Sequence, residues 1–382
     1  MKILLNKKII GAAIGAGVTI AIAMTFFVLL PQLQTIPQTG SSSTTQPGNL
    51  SHNPKLGLVI MPPTQKPTLQ EIKDAYAQAA STGIGRSNVY LSWPIMEPKQ
   101  GTYNWGYSDI LMGLNREQGL NVTLYFSVIN NQILGPFPDW MGKPQLDKKL
   151  QDQTVTTLDA ILSRYYIVDY VIIGGNVDNY FRDHPSEIPQ YVDFFNGVYD
   201  KLKAKHPNIK FGNWFSLNDI SNHGQGDIVG KLNQGDFVAY SYAPVDLLYY
   251  ESNSTEKEGA NLQKMIDFAQ GKKIALMEVG WSTDKSINGT KEDQQKFVKI
   301  VYDFYKKNQS DFEFLTWYRQ YDRPVDTCYN SLNLGSNSIF ANNEVLNNTA
   351  AYLCGSGLFD VDKNPKPAWD ELKHQIQSIP NS

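Results

Sequence analysis

The chain has 382 residues, with 37 acidic and 34 basic side chains mixed along its length for a net charge of -3. That balance offers no basic stripe for nucleic acid and no acidic tail, and the length admits either two ordinary domains or one large barrel. Aromatic residues make up 12% of it, including 7 Trp and 21 Tyr, which suits a large core together with a cleft that stacks ligands.

Residues 1–8 carry Lys2, Lys7 and Lys8, and Ile9 to Leu30 follow as 22 residues without a charge. A helix of that length spans the roughly 30 Å of a bilayer's hydrocarbon core. It is longer than the apolar region of an ordinary cleaved signal peptide, the competing reading, so an uncleaved anchor is expected. The basic flank places residues 1–8 in the cytoplasm and everything after Pro31 outside. Residues 31–54 are Gln, Thr, Ser, Pro and Gly with almost no apolar content, which reads as a flexible tether to a folded part over 55–382. Asn49, Asn121, Asn253, Asn288, Asn308 and Asn347 each open an Asn-X-Ser/Thr sequon, as suits an extracellular glycoprotein. Cys328 and Cys354 flank one polar, Asn-rich stretch. An oxidising compartment predicts a disulfide closing that loop, with two free thiols as the alternative.

From Lys55 onward short apolar runs alternate with amphipathic segments. Leu56–Met61 is expected as a strand and Thr68–Ser81 as a helix, then Val89–Trp93 with Asp109–Gln118, and Val122–Ile129 with Lys148–Arg164. Tyr170–Ile173 precedes a helix carrying Tyr191, Phe195, Val198 and Leu202, and Phe211–Phe215 precedes a weak helix from Asp227. Phe237–Tyr242 precedes Asn261–Gln270. Lys273–Thr283 supplies the seventh strand, and the next helix starts at a capping box of Thr290 and Asp293. Phe312–Trp317 and Ala368–Ile379 close the series. Eight such pairs without an internal linker predict one (β/α)₈ barrel rather than two domains, with an open doubly wound sheet as runner-up. No Gly-rich phosphate loop, His-Glu-X-X-His or Gly-X-Ser-X-Gly occurs, and the five histidines are scattered, so no cofactor or metal is expected.

The seventh run delivers one carboxylate, Glu278, to its far end, and Gly280 breaks the strand just beyond. A carboxylate at the carboxyl end of a buried parallel strand sits where barrels keep their chemistry. The alternative is a buried Glu satisfied by backbone or a cation.

Several segments then read together: Trp93-Pro-Ile-Met-Glu-Pro-Lys-Gln-Gly-Thr-Tyr-Asn-Trp105, Val238-Ala-Tyr-Ser-Tyr242, Glu278-Val-Gly-Trp281, Thr316-Trp-Tyr318, and Gly357-Leu-Phe-Asp360 leading to Lys363-Asn-Pro-Lys-Pro-Ala-Trp369. In this order the chain from Lys55 to Ile379 resembles the clan A glycoside hydrolases, retaining (β/α)₈ barrels. The resemblance implies an oligosaccharide or polysaccharide ligand, Glu278 as nucleophile and Tyr242 as the tyrosine that hydrogen-bonds it. It also implies Trp317 as the floor of the sugar site, with Trp93, Trp281 and Tyr318 as further substrate contacts. A phenol donating to Glu278 would favour its ionised form. Ordinary core packing is the other reading of Trp317.

Strand four departs from that pattern. The clan ends it with Gly-Asn-Glu, the Glu being the general acid/base, whereas this chain has Ile173-Gly-Gly-Asn-Val-Asp178. One register puts Asn176 at the acid position and the other puts Val177 there. Retaining hydrolysis needs two carboxyls about 5 to 5.5 Å apart. Loss of general acid catalysis forfeits about 10²- to 10⁴-fold unless another group, of which Asp178 is the candidate, takes over. Asp178 as a solvated or capping residue is the competing reading. Two functions follow: a retaining glycosidase on Glu278 with an atypical or missing acid, or a noncatalytic glycan-binding barrel.

Overall fold

The computed structural model describes residues 52–246, 251–335 and 343–380. The expected anchor at 9–30, nearly all of the tether and Asn49 lie outside them. Among the described residues no helix is long and apolar enough to cross a membrane.

Eight parallel strands form the centre: β1 Asn53–Leu58, β2 Ile84–Tyr90, β3 Asn121–Asn130, β4 Val168–Gly175, β5 Lys210–Ser216, β6 Phe237–Tyr242, β7 Lys273–Val279 and β8 Phe312–Trp317. Each pairs with the next, and β8 returns to β1 through Leu56↔Leu315 and Leu58↔Trp317, so the sheet closes. The folded part begins two residues before the expected boundary, since Asn53 and Pro54 already belong to β1.

The largest departure from the expected strands is β2, which starts at Ile84 rather than Val89. Its first half, Gly85-Arg-Ser-Asn88, shows no apolar run because alternate residues point polar groups into the barrel. Arg86 is buried there, with Nη2 2.7 Å and Nη1 3.1 Å from the Asp169 carboxylate and Nε 2.6 Å from the Pro54 carbonyl. Its guanidinium stacks 4.5 Å from the Tyr170 ring and 5.0 Å from Phe314. Tyr170, Phe237 and Phe314 close an aromatic layer with centroids 4.8 to 5.8 Å apart. A side chain at Gly57 would put a Cβ 2.6 Å from Arg86 Cγ, so β1 must be bare where it passes the arginine. Two residues up, Asn88 Nδ2 donates to the Met277 carbonyl at 2.8 Å, tying β2 across the barrel to β7.

Outside the strands run α1 Leu69–Ala80, α2 Gly106–Glu117, α3 Lys148–Arg164, α4 Ile188–Lys205, α5 Gly226–Lys231, α6 Glu258–Ala269, α7 Lys291–Lys307 and α8 Pro367–Gln377. Thr68 and Glu71 make a reciprocal capping box on α1, and Thr290 Oγ1 accepts the Asp293 N–H at 3.0 Å to start α7. The Asn-rich stretch after β8, read from sequence as a loop, instead contains helices Val325–Gly335 and Asn343–Gly355. Buried Leu332, Leu346, Ala350 and Leu353 hold them to the body, which outweighs their poor intrinsic helix propensity. The expected disulfide is present, Cys328 to Cys354 with Cα atoms 6.0 Å apart, and it staples the two helices together.

Two stability outcomes follow. Asp169→Ala strands a buried guanidinium and should destabilise by about 3 kcal/mol in denaturant titration; a change within about 0.5 kcal/mol would mean Arg86 is balanced by other groups. Replacing both cysteines by Ser should cost roughly 3 kcal/mol by the loop-entropy relation, measured the same way.

Candidate functional site

The strand period carries β2 from Arg86 through Asn88 to Tyr90, placing a phenol at the upper end of the barrel interior. There Tyr90 donates to Glu278 Oε1. The Tyr90 ring lies 5.5 Å from Tyr125, which lies 5.5 Å from Trp214, so the interior beside Glu278 is walled by aromatic rings. Gly175, at the end of β4, is obligatory here: a Cβ on it would fall 2.2 Å from the Tyr125 hydroxyl oxygen.

Glu278 is 3% exposed. Burial pushes its carboxyl up to about 8, against the lowering effects of the Tyr90 hydrogen bond and the Arg319 guanidinium. Desolvation wins because the neutral carboxyl loses far less hydration than the carboxylate does. Two expectations are corrected at once. The partner phenol is Tyr90, not Tyr242, and donation from a phenol does not keep the carboxyl ionised at neutral pH. Tyr90 was missed although polar Arg86, Asn88 and Tyr90 alternate along one strand face, a signal present in the sequence.

Tyr242 donates instead to Glu258 of α6, and Asn261 Nδ2 donates to the Tyr242 hydroxyl at 3.0 Å. Its ring faces Phe297 of α7 at 6.3 Å. Trp281 and Trp317 lie against the same Phe297, at 5.3 and 6.0 Å, and are 1% and 0% exposed. These three aromatics fill the layer between the barrel and α7. Trp317 faces α7 rather than an open cleft, because β6, β7 and β8 pair Tyr242, Val279 and Trp317 side by side and turn them together toward the helix. Trp93 is also buried. It packs on Phe126 and Phe137 at 5.2 and 5.8 Å and donates from Nε1 to Glu97 at 2.8 Å. Glu97 is further held by Thr157 Oγ1 and the Gly101 N–H, each at 2.8 Å. Burial pushes the Tyr318 phenol up to about 12, with the Glu278 carboxylate adding to the rise and Arg319 opposing it.

The end of β4 turns sharply. Asn176 has φ 45° and caps the short helix Val177–Asp183, and Val177 is fully buried, with a Gly174 Cβ predicted 2.5 Å from its side chain. The Asp178 carboxyl meets the end of β5. Its Oδ1 accepts the Ser216 N–H at 2.9 Å, and burial together with the neighbouring Asp219 carboxylate pushes it up to about 8. Asp219 is buried too, accepting from Asn179 Nδ2 at 3.3 Å. Asp178 and Asp219 thus form a buried acid pair on the short helices Val177–Asp183 and Leu217–Asn222 that follow β4 and β5. Burial sets the ionisation of Glu278 first, and the groups that act against it are a phenol and a guanidinium. Among the described residues no cluster of three or more metal-ligating side chains occurs.

A carboxyl raised in the folded state favours folding fully below its unfolded value and loses that contribution as pH climbs through its folded one. For Glu278 the window runs from 4.5 to about 8, and for Asp178 from 3.8 to about 8. The unfolding midpoint should therefore fall between pH 5 and pH 8, and Glu278→Gln or Asp178→Asn should each flatten part of that fall. Parallel profiles for the three proteins would show that neither carboxyl is raised.

No known family's sequence profile matches the chain, and no curated protein shows significant similarity to it. Solved structures do. The GH5_18 protein from Bifidobacterium longum superposes with a TM-score of 0.63 at 15% identity, covering 87% of this chain and 81% of that one. A GH5_18 variant from Streptomyces cattleya, in complex with Manβ1-4GlcNAc, gives 0.62 at 16% identity over 86% and 82%. Xylanase 10B from Thermotoga maritima gives 0.55 at 14% identity over 85% and 95%. With a closed eight-stranded parallel barrel and these neighbours, the chain has the (β/α)₈ fold of the clan A glycoside hydrolases.

Proposed function

We propose that this chain is a glycan-binding barrel, tethered to the outside of a membrane through residues 9–30, that has kept the clan A architecture without its hydrolytic carboxyl pair. The observation that carries the reading is the depth of Glu278, 3% exposed and hydrogen-bonded by Tyr90, with its carboxyl pushed up to about 8 by burial. A retaining hydrolase requires an ionised nucleophile and a second carboxyl about 5 to 5.5 Å away to protonate the leaving oxygen. Here the end of β4 offers Asn176 and Val177, and the nearest substitute, Asp178, is engaged with Ser216 and faces Asp219. A neutral carboxyl in a dry, aromatic-walled interior is suited to hydrogen bonding with a hydroxyl-rich ligand. That the ligand is a glycan is supported by the fold neighbours, one of which holds Manβ1-4GlcNAc. The anchor is supported by the 22 uncharged residues and their basic flank.

A second reading has its own support: Tyr90 and Arg319 both favour the ionised form of Glu278, as a glycosidase working through a covalent intermediate on that residue would need. One experiment separates the two. Dinitrophenyl glycosides need no leaving-group protonation, so a competent Glu278 would release one dinitrophenolate per protein in a burst, and azide would restore turnover. The expected result is neither burst nor rescue across a panel of such glycosides, with binding of Manβ1-4GlcNAc-type oligosaccharides retained in calorimetry and lost or weakened at least tenfold in Tyr90→Phe. A stoichiometric burst that disappears in Glu278→Gln would establish the hydrolase reading in its place.

A further inference from the structure

The short helix Leu217–Asn222 after β5 and the first two turns of α6 flank the chain that leaves β6, and an open cavity of about 270 Å³ lies between them. It stands outside the barrel. Tyr242, in its wall, faces outward toward Phe297, whereas Glu278 pairs with the preceding residue, Ser241, and meets Tyr90 in the interior.

The walls of the cavity are held from behind. Glu258 is 0% exposed, and its Oε2 accepts from the Tyr242 hydroxyl and, at 3.4 Å, from Asn261 Nδ2, which also donates to the Tyr242 oxygen at 3.0 Å. Those bonds fix the Asn261 amide and leave its Oδ1 as an acceptor. Burial raises the Glu258 carboxyl, and Tyr242, Asn261 and the nearby Lys264 ammonium oppose the rise. On the other side Asn218 grips the main chain of Ala243 with both ends of its amide, Oδ1 accepting the N–H at 3.0 Å. The Asn253 N–H donates to the Pro244 carbonyl at 2.9 Å. Support of this kind keeps a binding site in one geometry.

The lining is directional and balanced in charge. Asp246 and Lys264 contribute one charge of each sign, and the amides of Asn222, Asn253 and Asn261 supply donors and acceptors together. Buried Leu217 and Val245 add an apolar side next to the Tyr242 ring. A charged ligand would meet its own sign here, and a hydrocarbon would strand the amides. A pyranose satisfies both demands, with hydroxyls that donate and accept around its edge and C–H faces for the apolar side. The volume falls just below the range of about 300–1,000 Å³ in which pockets bury drug-sized molecules, so there is room for one ring rather than a chain.

We propose that this cavity binds a single neutral pyranose, as a saccharide site separate from Glu278. It extends the glycan-binding reading but uses none of the residues around that carboxyl.

The test uses the disulfide-intact full chain in a detergent without a sugar headgroup. The host should be one that does not glycosylate the Asn253 sequon, since a modification there would stand in the cavity. Methyl glycosides of glucose, mannose, galactose, xylose and N-acetylglucosamine are the probes in saturation-transfer NMR. At least one should receive saturation, and in a crystal soaked with it the ring should lie within hydrogen-bond distance of Asn261 Oδ1 or Lys264 Nζ. Lys264→Met should weaken binding about tenfold or more. Asn222→Ala, on an exposed side chain, should weaken it as well, and carries the test if Lys264→Met does not fold. No saturation of any glycoside in the panel would overturn the proposal. So would binding that both variants retain; its loss in Tyr90→Phe would then place the sugar beside Glu278 and leave the interior glycan reading standing.

Discussion

A guanidinium sealed among aromatic rings sets the terms for the inside of this barrel. Arg86 cannot be hydrated where it lies, so Asp169, Thr123 and the Pro54 carbonyl must meet it, Tyr170 and Phe314 must stack on it, and Gly57 must stay bare beside it. Those demands fix the register of β1, β2, β3 and β4 at the base. Because side chains repeat every two residues on a strand, the same register carries Asn88 to the Met277 carbonyl and Tyr90 to Glu278. The position of the phenol that controls the acid is thus a consequence of how the bottom of the barrel solves its charge problem.

At the upper end the chemistry is a contest between desolvation and two weak counterweights. Tyr90 and Arg319 favour the carboxylate of Glu278, and burial opposes both and prevails. Other acids raised by burial are occupied elsewhere: Asp178 with Ser216 and Asp219, Glu258 with Tyr242 and Asn261, and Asp322 with Lys366 and the Gly357 N–H. Asp178 is thus tuned by a neighbouring carboxyl, whereas Glu278 answers to a phenol and a guanidinium.

How much of this could be read from the sequence depended on which face a residue serves. Strands buried on both sides announced themselves: Phe237–Tyr242 and Phe312–Trp317 were found at their true limits. The first half of β2 did not, since an interior that holds Arg86 and Asn88 looks like a polar loop. Glu278 was placed correctly at the end of β7 from apolar run and glycine alone. The aromatic expectations rested on chain position alone. Trp281, Trp317 and Tyr242 sit at strand ends as a sugar site would have them, but side-chain direction along a strand is set by pairing register, and Phe297 of α7 shows that all three face outward. Arg319 drew no notice because exposed and buried arginines are indistinguishable in a sequence without their neighbours.

The end of β4 is closely filled: Tyr125 holds the space that a Cβ at Gly175 would claim, Asn176 takes a left-handed turn, and Val177 is buried. These three positions therefore cannot vary independently, and a change tolerated at Gly175 would have to come with a smaller side chain at Tyr125.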